Sequence, residues 1–335
     1  MVDSPMLIVD AHLDLSYNAL RGRNVLAPAR EQADDGDGIP TVGLPDLRAG
    51  GVGLVCATVF IMPSIDGKAG YRTADEAHVE GQRHLDWYRR QIEDGKMRFV
   101  MRGSEVRHLS SSTQNAILLL EGADALRTPA DITAWYAAGL RIVGLSWKRT
   151  RYAGGTGEPG PLTAAGVELV KALDQFGIIH DTSHLAEESF WQLLDLSDGP
   201  IIASHSNCRS IVPTDRQLSD EMIKAIVARD GVIGINFFDR FLLQPDQYGK
   251  RRATLADVLA HIQHICDLAG DCKHVAIGTD MDGGLGRNEI PIEIQTSADL
   301  PLLAAHLANR GFADRDVAAI MGGNWVRFFS ENLPD

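Results

Sequence analysis

The sequence predicts an α/β protein of the (β/α)8 TIM-barrel class, and three observations support this prediction. Eight short apolar runs bounded by turn residues are spread along the 335 residues, and such runs are typical of buried strands. Segments with helical periodicity separate most of these runs. Parallel strands require such crossovers, and the lack of a glycine-rich phosphate turn after the first run favours a closed barrel over an open doubly wound sheet.

The predicted strands and helices alternate along the chain. The eight strands are expected at residues 7–10, 54–61, 116–120, 141–145, 177–181, 200–204, 232–236 and 274–278. The helices between them are expected at residues 75–93, 162–176, 186–196, 219–229 and 255–269, with Ser219 as an N-cap. No repeat or low-complexity tract divides the sequence, so we expect residues 1–335 to form a single catalytic domain.

Composition and charge indicate which kinds of molecule the protein binds. Hydrophobic residues make up 44% and charged residues 23% of the sequence, which is the profile of a globular protein. A net charge of −13 argues against a protein that binds nucleic acids or anionic membranes, because both need basic surfaces. We therefore expect a small-molecule substrate.

The sequence also predicts a cytoplasmic location. Its N-terminal apolar run is short and lacks the basic segment and cleavage pattern of an export signal. No run of about 18 apolar residues is long enough to cross a membrane. The four cysteines show no CxxC spacing, which fits neither a zinc ribbon nor a disulfide framework.

The first predicted strand ends in the motif VDAHLDL. In extended backbone, Asp10, His12 and Asp14 share one face, so metal-binding side chains would converge there. Taken alone, the motif is better explained as a strand whose polar end marks its exit into solvent, because the His-x-Asp pattern is short. The other strand ends decide between these interpretations.

In a parallel barrel, catalytic groups lie at the C-terminal ends of the strands, and here those ends carry metal-binding residue types. Three imidazoles and three carboxylates would meet in one mouth, and cations would offset their mutual charge. Zn²⁺ or a similar ion suits this set, and one carboxylate could bridge two ions about 3.5–4 Å apart. The predicted residues are His12, Asp14, Glu121, His184, His205 and Asp280, with Glu121 as the bridge.

The remaining histidines carry no predicted function. His180 lies deeper in its strand, where a core histidine with a hydrogen-bond partner is the favoured interpretation. Most of the others fall on helices predicted to be at the surface. These are His78, His84, His261, His264 and His306.

Motifs along most of the chain resemble the membrane (renal) dipeptidases and their bacterial relatives, the zinc peptidases of the M19 type. The resemblance runs in order through VDAHLDL, LLLEGADAL, IIHDTSHLAEESFWQLLDLSDGPIIASHSNCRSI, PTDRQLSDEMI, GVIGINFF, AIGTDMDG and IMGGNWVRFF. It implies an amidohydrolase-like barrel with two zinc ions bridged by Glu121 and by a water or hydroxide. By this resemblance His12, Asp14 and Glu121 hold one ion, and Glu121, His184 and His205 hold the other.

The resemblance also implies roles for residues outside the ligand set. Arg216 in PTDRQ would grip the free carboxylate of a dipeptide, a role that suits a guanidinium fork. We expect Asp280 to act with Glu121 in catalysis, taking a proton from the bridging water and delivering it to the leaving amine. A homodimer is a further expectation from the resemblance.

One position departs from the pattern of the family. Many members carry a histidine near the scissile carbonyl at the end of the fourth strand, whereas this chain has Trp147 in GLSWKRTRY. An indole N–H is a neutral hydrogen-bond donor, and it lies at a different distance from the backbone than the imidazole N–H of a histidine. Either the metals stabilise the oxyanion alone, or Lys148, Arg149 or Arg151 assists, or the substrate is not a plain dipeptide.

The predicted function is therefore zinc-dependent hydrolysis of dipeptides, with L-Xaa-D-Xaa substrates left open beside L-Xaa-L-Xaa. The first alternative is a related barrel metallohydrolase that acts on N-acyl amino acids, lactams or other amides, and the Trp147 departure keeps this alternative open. A second alternative is a binding protein that kept the fold without the site, but the complete ligand set argues against it.

Overall fold

The computed structural model describes residues 6–34, 36–65, 67, 69–110 and 112–335. Nine short strands are spread along these residues, eight of them in the predicted positions. Their bounds are β1 Ile8–Leu13, β2 Val52–Phe60, β3 Met97–Phe99, β4 Gln114–Glu121, β5 Leu140–Gly144, β6 Ile179–Asp181, β7 Ile201–Ile202, β8 Ile233–Ile235 and β9 Val275–Ile277.

Helices follow most of the strands. Their bounds are α1 Leu15–Leu20, α2 Leu44–Ala49, α3 Ala74–Glu93, α4 Gly103–Val106, α5 Ile132–Ala137, α6 Ala164–Gln175, α7 Glu187–Leu196, α8 Asp220–Ala228, α9 Asp239–Leu242, α10 Leu255–Ala269, α11 Pro301–Arg310, α12 Asp314–Ala318 and α13 Asn324–Asn332. A π-helical turn, Ala319–Gly323, joins the last two helices. Short 3-10 segments lie at Ala29–Glu31, Ala123–Ala125, Pro129–Asp131, Arg287–Glu289 and Ser297–Asp299.

The strands form a parallel barrel, which confirms the predicted fold class. Their order is β7-β6-β5-β4-β2-β1-β9-β8, and β3 pairs with the first part of β4 outside this path. A single parallel bridge between Ala203 and Ile233 connects β7 to β8 and closes the ring. Each of the eight predicted strands corresponds to one strand of the ring, while β3 was not predicted.

Local sequence explains where the predicted helices begin. The Oγ of Ser219 accepts a hydrogen bond from the Met222 amide at 3.2 Å, so the expected N-cap of α8 is confirmed. Thr73 and Glu76 form a capping box at the start of α3. Helix α10 ends at Gly270 in the left-handed conformation, as glycine allows.

The inside of the barrel is apolar below its mouth. On β4, Ile117 and Leu119 are fully buried and share one face with Glu121, so the apolar part of this face leads directly to the polar end. Trp325 and Phe328 of α13 belong to the same cluster and pack against it. The polar groups at the mouth are therefore held above a dry core.

The side chains of β1 do not alternate strictly between the barrel interior and the outer core. Val9 and Ala11 pack into the interior cluster, whereas Leu13 belongs to the outer core. The pairing register with β2 shifts between Asp10 and Leu13, and such a shift re-aims the side chains around it. His12 thus reaches the mouth by a local irregularity rather than by simple alternation.

Two predictions about the helices were wrong. His84 and His261 were expected on surface helices, but both are buried, with 2% and 0% of their area exposed.

Among the cysteines, Cys266 and Cys272 lie with their Sγ atoms 2.8 Å apart as free thiols. Within the described residues, no helix is both long and apolar enough to span a bilayer.

Candidate metal centre

Six side chains predicted from the strand ends meet at the mouth of the barrel. His12 lies near the end of β1 and Glu121 is the last residue of β4. The others lie in the turns that follow β1, β6, β7 and β9. These four are Asp14, His184, His205 and Asp280. His12, Asp14, Glu121 and His205 are buried, and His184 and Asp280 are partly exposed.

Glu121 is the centre of this arrangement. Its Oε1 lies 3.1 Å from the Nε2 of His184 and 3.4 Å from the Nε2 of His205. Its Oε2 lies 3.4 Å from the Nε2 of His12, and the Oδ2 of Asp14 is 3.8 Å from the same nitrogen. The two oxygens of Glu121 therefore face two different sets of ligand atoms.

The donor atoms fit divalent cations. The Nε2 atoms of His184 and His205 converge to 3.0 Å, and the buried Nε2 of His12 and Oδ1 of Asp14 have no hydrogen-bond partner among the described residues. One potential ligand atom from each of His12, Asp14 and Asp280 lies within 4.8 Å of the others, as do those of His12, Glu121 and His205. Nitrogen and carboxylate ligands at this density suit zinc or a similar ion.

A buried serine below the centre sets the orientation of two imidazoles. The Oγ of Ser204 donates to the Oδ2 of Asp181 at 2.5 Å. Because its only hydrogen is used there, this oxygen accepts from the Nδ1 of His205 at 2.7 Å and of His12 at 3.2 Å. Because both rings use Nδ1–H for this contact, Nε2 is the nitrogen that faces Glu121 and that would bind a metal ion.

The carboxylates and histidines of the centre shift one another's pKa values. Burial alone would raise the pKa of Glu121, but its contacts with His12, His184 and His205 hold that pKa well below its usual range. Burial alone would lower the pKa of His12, but Glu121 and Asp14 raise it to about 10. Burial and the charge of Arg216 lower the pKa of His184 to about 4. One histidine, His12, thus carries a positive charge beside the Glu121 carboxylate, while His184 is neutral at pH 7.

Asp280 differs from Glu121 in its surroundings. Burial raises the pKa of Asp280 to about 6, and its Oδ2 accepts a hydrogen bond from the Asn236 amide at 2.9 Å. Its φ of 58° is in the left-handed region, as are the φ of 64° at His184 and of 63° at Asp282. Strained backbone of this kind is held in place only by surrounding contacts, and it clusters at functional sites.

Asp282 provides such contacts and was not identified from the sequence. Its carboxylate accepts hydrogen bonds from the amide and hydroxyl of Thr41 and from the amide of Val42, at 2.7 to 3.0 Å. It also pairs with Arg23 at 3.2 Å. This network ties the turn that carries Asp280 to the long segment between α1 and α2. The second aspartate of the AIGTDMDG motif was the available signal.

The structure brings Asp10 and Ser204 into supporting positions. Asp10 accepts hydrogen bonds from the His12 amide at 3.2 Å and from the amide and hydroxyl of Thr279 at 2.9 and 2.5 Å. It links β1 to the end of β9 without reaching the mouth. Ser204 and Asp181 were missed because a polar residue at a strand end does not reveal which neighbour it contacts.

Arg216 is buried beside the centre. Its Nη2 donates to the carbonyl of His205 at 2.6 Å and its Nη1 to the Oγ of Ser206 at 3.0 Å. Its guanidinium stacks over Phe241 at 5.1 Å, and its buried Nε has no partner among the described residues. Arg216 is not among the described residues that line the cavity above the centre, although its unused buried donor is of a kind that suits an anion.

A cavity of about 240 Å³ opens above the centre, and Trp147 forms part of its wall together with Asp14, Glu121, His184 and Asp280. The indole ring lies 6.2 Å from the ring of His184.

None of the three basic neighbours of Trp147 is among the described residues that line this cavity. Lys148 lies 3.9 Å from Glu158, Arg149 donates to the carbonyl of Pro159, and Arg151 pairs with Asp124 at 3.0 Å.

Comparison with known proteins is consistent with this site. The profile of the membrane dipeptidase family, peptidase family M19, matches residues 1–333. The chain belongs to this family. Membership confirms the resemblance seen in the sequence and the predicted enzyme class, a metal-dependent dipeptidase with a barrel fold.

Individual relatives cover nearly the whole chain. A dipeptidase from Clonostachys rogersoniana is 28% identical over 98% of this chain and 84% of its own length. The crystal structure of a dipeptidase of family M19 superposes with a TM-score of 0.84, at 27% identity over 99% of this chain and 100% of that one. A metallopeptidase from Rhodobacter sphaeroides, solved with a phosphinate mimic of the dipeptide L-Ala-D-Ala, gives a TM-score of 0.83 at 25% identity, over 98% of this chain and 100% of that one.

Proposed function

We propose that the protein hydrolyses dipeptides with two zinc ions, one held by His12, Asp14 and Glu121 and the other by Glu121, His184 and His205. The observation that carries this proposal is the position of Glu121, whose two oxygens face different imidazoles at 3.1 to 3.4 Å. Two ions bound there supply Lewis acidity toward a peptide carbonyl and toward water.

The chain's own residues supply the remaining functions. Asp280 lines the cavity, and Asn236 holds its Oδ2, so this carboxylate is fixed within reach of a bound substrate. In this proposal it takes the proton of the attacking water and passes it to the nitrogen of the leaving amine. Glu121 holds the two ligand sets on either side of its own carboxylate.

Arg216 positions the substrate in this proposal. Its two terminal nitrogens are anchored on the carbonyl of His205 and on Ser206, so the fork does not need to be ordered when a ligand binds. A dipeptide has a free carboxylate at one end, and the L-Ala-D-Ala mimic bound by the Rhodobacter sphaeroides relative is a ligand of that kind. Substrates lacking the carboxylate should therefore bind weakly.

A second candidate function is hydrolysis of N-acyl amino acids or lactams. Trp147 supports it, because an indole in the cavity wall offers a neutral donor and a large apolar face. An N-acyl amino acid keeps the free carboxylate for Arg216 and replaces the terminal amine with an apolar group.

A substrate panel separates these functions. The zinc-loaded protein, with its metal content measured, is assayed with L,L- and L,D-dipeptides, C-terminally amidated dipeptides, N-acyl amino acids and lactams. We expect hydrolysis of free dipeptides and at least about tenfold lower kcat/KM for their amides. Preference for the N-acyl compounds or lactams would support the second function, and hydrolysis of none of these substrates would contradict both.

Two further proposals concern the whole protein. The family resemblance supports a homodimer, and light scattering of the purified protein tests it by the molar mass in solution. The four cysteines, all free thiols, support a cytoplasmic location, which cell fractionation tests.

A further inference from the structure

A groove of about 650 Å³ adjoins the catalytic cavity on the side of β2. It lies between α1, the segment after β2 and the first half of α3. Tyr17, Phe60 and Met62 line both the groove and the cavity. A molecule in the cavity therefore meets the groove at these three side chains.

The groove has an aromatic and aliphatic wall that is open to solvent. The ring of Phe60 lies 5.3 Å from that of Trp147 and 5.6 Å from that of Tyr17, so aromatic faces lead from the cavity into the groove. Val79 of α3 lines the groove with 61% of its area exposed. Exposed apolar surface beside a catalytic cavity is typical of a site that buries an apolar ligand group.

Charged groups at the edge of the groove have partners. Arg83 pairs with Glu80 at 2.7 Å, and Glu76 accepts hydrogen bonds from backbone amides in the capping box of α3. Burial lowers the pKa of His84, at the floor, to about 4, so this imidazole is neutral at pH 7. Arg21 and Asp75 also line the groove, and they lie 3.1 Å from Asp37 and 3.9 Å from Arg127, respectively. Because the charged side chains of the lining have partners, recognition in the groove depends on apolar contact more than on charge.

The barrel gives the orientation of a substrate relative to this groove. In the ring, β2 and β7 are separated by β4, β5 and β6 on one side and by β1, β9 and β8 on the other, so they lie opposite each other. Phe60 ends β2, and Arg216 is anchored on the residues that follow β7. A dipeptide whose carboxylate is held at Arg216 and whose amide lies at Glu121 directs its N-terminal residue toward Phe60.

We infer that this groove is the subsite for the N-terminal side chain of the substrate and that it selects large apolar side chains, such as those of phenylalanine and leucine. The inference rests on the proposed dipeptidase function and names its substrate class. Burying such a side chain corresponds to a preference of about 10- to 100-fold over alanine.

The test compares kcat/KM for Phe-Ala, Leu-Ala, Lys-Ala and Ala-Ala in the zinc-loaded full chain. The wild type should prefer Phe-Ala and Leu-Ala over Ala-Ala by about tenfold or more. The Val79→Glu variant should lower the ratio of Phe-Ala to Ala-Ala about tenfold and raise that of Lys-Ala, because it places a carboxylate on the groove wall. The introduced carboxylate lies four residues before Arg83 on α3, and an acidic and a basic side chain at this spacing stabilise a helix. We therefore expect the variant to fold.

A matched control and a second measurement complete the test. Leu302→Glu makes the same kind of change at another exposed helix position, on α11 and away from the groove, and should leave every ratio at the wild-type value. Calorimetric binding of phosphinate mimics of Phe-Ala and Ala-Ala should show the same preference without turnover.

The outcomes separate the subsite from the enzyme. Equal kcat/KM for Phe-Ala and Ala-Ala in the wild type, or an unchanged ratio in Val79→Glu, would overturn the subsite and leave the dipeptidase proposal intact. Hydrolysis of no dipeptide at all would instead contradict the dipeptidase proposal.

Discussion

Glu121 and Ser204 show how single side chains organise the mouth of the barrel. Glu121 offers one oxygen to His12 and the other to His184 and His205. Ser204 lies below and accepts from the Nδ1 of two of these rings while it donates to Asp181. The Glu121 carboxylate thus contacts the three candidate histidine ligands, and the Ser204 hydroxyl fixes the orientation of two of their rings.

Removing this hydroxyl should weaken zinc binding. Ser204→Ala leaves the Nδ1 of His12 and of His205 without their acceptor, so both rings are free to turn or to change tautomer. We expect the affinity for zinc to fall about 10- to 100-fold, measured by competition with a chelating dye. Ser197→Ala removes a hydroxyl that contacts Asp174 instead, and it should keep wild-type affinity. Equal affinities in the two variants would exclude this role for Ser204.

Replacing Asp280 should separate proton transfer from metal binding. Asp280→Asn keeps the size of the side chain and an oxygen for Asn236, but it removes the group that takes up a proton. We expect kcat for Ala-Ala to fall about 10²- to 10⁴-fold while bound zinc, measured by mass spectrometry, is unchanged. A variant that retains kcat would remove Asp280 from the proton-transfer step, and one that loses zinc would make it a metal ligand.

The convergence of the candidate ligand residues could be predicted from the sequence because a parallel barrel brings every strand end to one mouth. The residues below them could not. Ser204 and Asp181 act through contacts between different strands, and their distances depend on the strand register, which the pattern does not contain. His84 and His261 were misplaced for a related reason, because a single histidine does not show which face of its helix is buried.

At the level of elements, the barrel is closed by very short strands. β7 has two residues, and its connection to β8 consists of the bridge from Ala203 to Ile233 and a backbone hydrogen bond from Ser206 to Gly234 at 2.8 Å. A Cβ at Gly278 would lie 1.7 Å from the carbonyl oxygen of Ser204, and one at Gly234 would lie 2.0 Å from the same atom. The seam therefore depends on two glycines that allow β8 and β9 to approach the end of β7.

A methyl group at this seam should destabilise the fold. Gly278→Ala forces the backbone of Ser204 to move, and we expect the free energy of unfolding to fall by about 3 kcal/mol or more, measured by urea denaturation. Gly144→Ala on β5 is the matched control, because its nearest atom would be an ordinary 3.6 Å away, and its effect should stay below about 1 kcal/mol. Similar values for the two variants would contradict a tightly packed seam.

The predicted elements were those with strong periodicity. Helix α10 was predicted with its observed bounds because Leu255–Ala269 is amphipathic and ends before a glycine. β3 and α13 were missed for different reasons. β3 has three residues, too few for a pattern, and α13 fills the space against the barrel interior, a role that only the assembled fold defines.

At the level of the whole molecule, buried neutral histidines couple folding to pH. Burial lowers the pKa of His261 to about 4, and its Nδ1 accepts a hydrogen bond from the Cys208 amide at 3.1 Å. An unfolded chain has a histidine pKa of about 6.5, so it binds more protons than the native state between pH 6.5 and 4. Stability is therefore complete above pH 6.5 and falls as the pH decreases through this window.

This contribution should disappear when the histidine is replaced. His261→Gln retains a side-chain acceptor for Cys208 and does not titrate, so its free energy of unfolding should fall less than that of the wild type between pH 7 and 4.5. The difference should reach up to about 3 kcal/mol in urea denaturation, from about 1.4 kcal/mol per pKa unit. His108→Gln, at an exposed position, is the control. Parallel pH profiles for His261→Gln and the wild type would exclude the effect.

The central claim is that two ions share Glu121, and anomalous diffraction at the zinc edge tests it most directly. Crystals of the zinc-loaded protein should show two peaks at the mouth of the barrel, one among His12, Asp14 and Glu121 and the other among Glu121, His184 and His205. Each peak should adjoin a different oxygen of Glu121. A single peak, or peaks that do not contact Glu121, would contradict the account.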